Sequence, residues 1–317
     1  MKSWIKYGII LLAMGCASIA LSEHFGALPS LMGNVNFPLL GGVILGLVFY
    51  QVWNAGVWSE VLACLYTPKK RMDCARIWLE SESLKWLPGA LWSYGSRVLL
   101  SSEIGLSKKK ASSSMVLELM ITNVAWALLA VTVFISFPVY QWVERLGESF
   151  NLLLLVGLAV ICVGGALAVM VAKMDKLRAF LSLGPVDFRK CLRTTGHYLV
   201  LCVFNASLLW GLMAAVPGVG VPYLAVIGVA GAAWVAGFWA IGIPGGIGVR
   251  EAVIVTLLCQ YTSIEQAILV AALWRGCQMI AEVVSIFLVV GTGAIKRAKL
   301  VKNQKREECC EKSSLSY

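Results

Sequence analysis

The sequence predicts an all-α, polytopic helical membrane protein, and three observations carry that prediction. First, 59% of its 317 residues are hydrophobic and 14% are charged, with a mean hydropathy of +0.80. A soluble domain holds about 45–50% apolar and roughly 25% charged residues. Second, no Asp, Glu, Lys or Arg occurs from Thr194 to Val249. That stretch is too long for one bilayer crossing of about 20 residues and suits two. Third, the formal charge of +10 is not spread evenly: 24 of the 27 Lys and Arg residues lie at the N-terminus, in 67–110, in 173–193 and beyond Ile295.

The apolar runs give the elements in order. Tyr7–Ser22 is the first span, read as an uncleaved helix rather than a signal peptide because further spans follow it. His24–Ser59 contains the second, with an apolar continuation to Tyr66. Leu119–Val143 and Asn151–Ala172 follow. The charge-free stretch holds two spans, broken at Pro217-Gly218 and Pro222, a turn signal. The last third stays apolar to Ile295, interrupted by Arg250, Glu251, Glu265, Arg275 and Glu282.

Lys and Arg concentrate in cytoplasmic loops. The four basic regions therefore face the cytoplasm, both termini lie inside, and about eight transmembrane helices are expected. Leu87–Leu106 is apolar yet flanked on both sides by lysines, so it is expected to dip into the membrane and return. Residues 1–295 read as one integral membrane domain, and 296–317 as a basic, disordered cytoplasmic tail.

A weak internal repeat relates units near 87–137 and 243–293. At an offset of 156, Leu87-Pro88-Gly89-Ala90-Leu91 falls on Ile243-Pro244-Gly245-Gly246-Ile247, and Ser107 on Ser263. Pro suits the first turn of a helix, and a helix beginning within a membrane presents unpaired N–H groups that attract anions. Broken segments in corresponding halves point to a transporter binding site. The plainer alternative is a tight turn between ordinary helices.

Charges inside apolar segments cost about 2.5–3.5 kcal/mol each on insertion scales, so the retained ones are candidates. Arg97 and Glu118 are placed to pair. Arg250 and Glu251 follow Gly245, Gly246 and Gly248 closely, and Arg275 and Glu282 share a helix face at a spacing of seven. Two arginines near helix starts would receive a phosphate. The alternative is salt bridges that only fix packing. The tryptophans read as interface or packing residues, Gly42-x-x-x-Gly46 and Gly242-x-x-x-Gly246 as sites of close helix contact. The ten cysteines are mostly apolar fillers, and His24 and His197 are the only histidines. No metal, no cofactor and no nucleic-acid partner is expected.

These residues resemble the lysylphosphatidylglycerol synthase transmembrane-region family, the flippase-like integral membrane proteins. The first-half match is Lys85-Trp86-Leu87-Pro88-Gly89 with Arg97 and then Glu118; the second is Pro244-Gly245-Gly246-Ile247-Gly248-Val249-Arg250-Glu251 with Arg275 and Glu282. Trp86 stands where members usually have Tyr, and Leu119 where many have Arg. The resemblance implies a multi-pass protein of the cytoplasmic (inner) membrane. Such a protein binds and flips an anionic-headgroup lipid, either an aminoacyl-phospholipid or a polyprenyl-phosphate-linked sugar. Pro88, Gly89, Arg97, Glu118, Pro244, Gly245, Gly246, Gly248, Arg250, Glu251, Arg275 and Glu282 would line the lipid site. No soluble aminoacyl-transferase domain accompanies these motifs, so transport is expected rather than synthesis. The rival functions are a membrane glycosyl or acyl transferase, with Glu251 or Glu118 as base, and an accessory subunit of an envelope polysaccharide system. A membrane lipid is the expected partner, with a glycosyltransferase, a lipid-synthesis protein or a second copy of the chain as protein partners.

Overall fold

The computed structural model describes residues 32–66, 69–86, 92–136, 187–240 and 243–288. The expected spans Tyr7–Ser22 and Asn151–Ala172, the dipeptide Pro88-Gly89 and the tail 296–317 lie outside the described residues. Every regular element described is helical.

Helix α1 (Phe37–Leu65) opens where Asn36 Oδ1 accepts the Leu39 N–H at 3.1 Å, and Pro38 sits in its first turn. It ends at Tyr66, where the apolar run ends. Helix α2 (Arg71–Glu82) packs back along α1 and buries Cys74, Ile77, Trp78 and Leu79. Its charge, on five of twelve residues, placed it by composition among the basic cytoplasmic loops. A 3₁₀ turn (Ser83–Trp86) follows it.

Helix α3 (Trp92–Leu100) packs against α2 and leads through a second 3₁₀ turn to Gly105, whose φ of 70° ends the helical path. Helix α4 (Lys108–Ala130) starts on the Ser107 hydroxyl, which accepts the Lys110 N–H. The crossing expected from Leu119 therefore begins eleven residues earlier. Its lysines are exposed at the helix start, where they cost nothing in burial. The short α5 (Thr132–Ser136) continues it.

Helix α6 (Phe188–Ala214) is capped by Asp187, and α7 (Tyr223–Trp239) begins at Pro222. The Pro217-Gly218 turn separates them, as the proline spacing predicts, with Gly218 at φ 78°. Helices α8 (Val249–Leu258) and α9 (Ile264–Leu288) complete the described chain. Four helices, α1, α4, α6 from Arg189, and α9, are long and apolar enough to cross a membrane. Leu45, Phe49, Ile280 and Phe287 stand exposed on α1 and α9, as side chains facing lipid tails would.

Hydrogen bonds fix the relative directions. The Asn36 N–H donates to Ala215 O at 2.9 Å and the Asp187 N–H to Cys64 O at 3.0 Å, so α1 and α6 are antiparallel neighbours joined at both ends. One end of the bundle is basic, with Lys69, Lys70, Lys108, Lys109, Lys110, Arg189 and Lys190. At the other end the Gln266 amide donates to Pro217 O and the Tyr261 hydroxyl to Ser136 O. Helix α8 reaches that end after ten residues, or about 15 Å. A hydrocarbon core is about 30 Å thick, about twice that length. The α2–α3 pair enters from the basic end instead, and its turn (Ser83–Trp86) touches the Pro244–Gly246 turn ahead of α8.

The core between these elements depends on small residues. A Cβ on Gly228 or Gly231 of α7 would come within 2.6 Å of the Val133 nitrogen or 2.5 Å of the Ala130 nitrogen. Glycine there lets α7 lie against the α4–α5 backbone. Gly46 receives the Leu208 side chain, while Gly42 has open space beside it, so only one member of that expected pair makes a close contact.

Candidate functional site

Among the arginines within the bundle, Arg97 and Arg250 have opposite surroundings. Arg97 on α3 is 1% exposed, and each of its three nitrogens donates to a protein oxygen. Nε reaches Ser81 Oγ at 3.0 Å, Nη1 reaches Glu118 Oε2 at 2.6 Å and Nη2 reaches Glu82 Oε1 at 3.0 Å. The rings of Trp78 and Trp58 lie 5.1 and 5.7 Å from its guanidinium carbon. Glu118 in turn accepts the Trp78 indole N–H at 2.7 Å and the Tyr198 hydroxyl at 3.3 Å. The expected Arg97–Glu118 pair is thus present, inside a larger network than the sequence indicated. Glu82, Ser81 and Trp78 went unseen because they lie on α2, a helix without an apolar signature. With two carboxylates on one guanidinium, the cluster ties α1, α2, α3, α4 and α6 together and leaves no Arg97 nitrogen without a protein acceptor.

Arg250 sits two residues into α8. The loop before it is glycine-rich for a geometric reason: Gly245, Gly246 and Gly248 have φ of 61°, 68° and 84°, a region closed to most side chains. These angles correct the expectation that Pro244 opens the helix. Pro244–Gly246 form a 3₁₀ turn, left-handed glycines interrupt the path, and α8 begins at Val249. Its first turn is also partly satisfied from within, since Glu251 Oε2 accepts the Gly248 N–H at 2.6 Å. The expected open helix N-terminus therefore already holds a carboxylate of its own chain.

The other Glu251 oxygen, Oε1, lies 3.6 Å from Arg275 Nε. Arg275 is eleven residues into α9, about 16 Å from its start, and comes within 3.2 Å of where a Gly245 Cβ would be. The Arg250 stem lies against Gly237 of α7, where a Cβ would come within 2.3 Å of Cγ. A Cβ on Gly246 would come within 2.7 Å of the Gly237 carbonyl oxygen. Glu282 falls elsewhere: it lines a neighbouring crevice of about 250 Å³ with Gln51, Trp78 and Glu82, between the two arginine clusters.

Arg250 makes no ion pair with any described residue, and its Nε is buried without a hydrogen-bond acceptor among them. Its contact is the Trp234 ring, 5.9 Å from the guanidinium carbon. Trp234 is itself stacked between Trp126 and Phe238, at 5.5 and 5.2 Å between centroids. A cleft enclosing about 360 Å³ of empty space, its open side included, adjoins Arg250 and is lined also by Asn205, Trp274 and Gln278. The sequence reading passed over Asn205. Its signal was available, since it is the single Asn or Gln in the charge-free stretch 194–249.

The Arg250 guanidinium is half-buried, and the Glu251 and Glu282 carboxylates act on it only from beyond ion-pair distance, so an anion placed in the cleft would meet a cation that no described carboxylate pairs directly. The chemistry on offer is the Arg250 cation, the Glu251 carboxylate held by Arg275, neutral amides and aromatic walls. No protein-family model matches the chain, and no curated protein is similar to it.

Proposed function

We propose that this chain binds, and moves between the leaflets of a bilayer, a lipid whose headgroup carries a phosphate, and that Arg250 receives that phosphate. The observation carrying this reading is the buried Arg250 Nε without an acceptor, in a cleft beside apolar helices. The resemblance of the Pro244–Glu251 stretch to the flippase-like lysylphosphatidylglycerol synthase region supports the same reading. Glu251, which also holds Arg275, balances the cleft until the lipid arrives. Pro244, Gly245, Gly246 and Gly248 supply the turn that sets Arg250 at its depth. Arg97 and Glu118 hold the helices around the path rather than the lipid.

On this reading about eight helices cross the cytoplasmic membrane with both termini inside, the basic end faces the cytoplasm, and the two repeat units are those near 87–137 and 243–293, which hold α3–α4 and α8–α9. The lipid tails stay in the bilayer while the headgroup passes the turns where the units meet. The test is reconstitution into liposomes containing a fluorescent phospholipid or polyprenyl-phosphate sugar. The protein should make the label accessible from both leaflets, and Arg250→Gln should abolish that activity. No movement of any phosphate-bearing lipid would sink the proposal.

A further inference from the structure

Resting on that reading, we infer that the Arg250 cleft selects phosphate headgroups bearing neutral hydroxyls, such as glycosyl or glycerol phosphates, over headgroups bearing an ammonium. The inference comes from the groups beside the arginine. Asn205 on α6 is 6% exposed, and its side chain makes no hydrogen bond to the protein. It lines the cleft, and so does Gln278 on α9, whose amide has no hydrogen bond within the protein either. Neither amide is spent on the protein, Asn205 on a buried residue and Gln278 on a half-buried one, so both can pair with a ligand group that donates and accepts. Hydroxyls do both; an ammonium only donates.

The carboxylate inventory points the same way. An ammonium entering the cleft needs an anion, and Glu251 is the one carboxylate among the lining residues. Both of its oxygens are engaged, one by the Gly248 N–H and one by Arg275. Glu282 and Glu82 line the other crevice. An ammonium-bearing headgroup would therefore meet two guanidiniums and no open carboxylate, while its phosphate competes for Arg250. A polyol phosphate meets one charge partner and two amides. A site built to pair hydroxyls rejects ligands lacking them, because its own polar groups are left unsatisfied.

The test uses the full-length chain in lipid nanodiscs and four soluble probes: inorganic phosphate, glycerol 1-phosphate, a hexose 1-phosphate and phosphoethanolamine. Titration calorimetry should give Kd values for glycerol and hexose phosphate about tenfold below that of inorganic phosphate, with phosphoethanolamine no tighter than phosphate alone. Asn205→Leu and Gln278→Leu should each erase that preference, raising the glycerol and hexose phosphate Kd values more than that of inorganic phosphate. If phosphate compounds bind but the hydroxyls add nothing, or phosphoethanolamine binds as tightly as hexose phosphate, the selectivity is wrong and the phosphate reading stands. If no probe binds the unaltered protein, the function proposed above fails together with it. The comparison among probes on the unaltered chain decides the matter even where a variant does not fold.

Discussion

Arg97 and Arg250 are the same side chain put to opposite uses. Around Arg97 each nitrogen has an oxygen partner, so removing the arginine strands Glu118 and Glu82 together. Arg97→Leu should cost about 3–5 kcal/mol, read as a fall in the thermal midpoint followed by circular dichroism in detergent. Arg250 strands nothing when it leaves. Arg250 has no ion pair among the described residues to lose, so Arg250→Leu should hold or raise the midpoint while lipid movement disappears. A fall comparable to that of Arg97→Leu would mean that Arg250 serves packing. This contrast was not legible in the sequence, where both arginines follow a Pro-Gly pair. What separates them is α2: its Glu82 and Ser81 reach Arg97, and no corresponding segment reaches Arg250.

At the scale of elements, caps and glycines carry most of the information. Ser107 and Ser263 begin α4 and α9 alike, each accepting an N–H three residues on, from Lys110 and Gln266. Ser107→Ala should cost about 1 kcal/mol, measured by chemical denaturation. At the start of α6 the backbone N–H of Lys190 donates to Asp187, which holds that carboxyl below its ordinary range. A depressed carboxyl stabilises above its unfolded pKa and loses that contribution as pH falls through the folded value. Hydrogen exchange at the first turn of α6 should therefore quicken in acid, and Asp187→Asn should flatten the response. Gly231→Ala places a methyl against backbone that cannot yield, and should cost about 1–3 kcal/mol; Gly41→Ala, with open space beside it, should cost far less. Helix positions were legible wherever apolar runs and prolines mark them, as for α1, α6 and α7. Helix α2 was not, because its buried face is short and its charges find partners only in the folded chain. The start of α8 was misplaced because Pro244 promises a helix that three left-handed glycines then postpone.

Across the whole molecule the basic and non-basic ends define a direction, and that direction is testable. In a cysteine-free background, Lys109→Cys at the basic end should react with a membrane-impermeant maleimide only in inverted vesicles. Gly220→Cys, in the turn at the opposite end, should react only in right-side-out ones. Labelling of both from one side would overturn the assignment of the basic end to the cytoplasm. The joining of α1 to α6 at both ends has a mechanical consequence. The Asn36–Ala215 and Asp187–Cys64 hydrogen bonds, with His197 Nδ1 2.6 Å from Glu60 Oε2 between them, pin the two helices at three heights. They behave as a strut that bends little and cannot slide. Helix α8 hangs instead on Gly245, Gly246 and Gly248, and Gly246 rests against Gly237 without a side chain between them. Any widening beside Arg250 is thus borne by the compliant α7–α8 contact, which must part first, while the α1–α6 strut stands still as the frame it moves against.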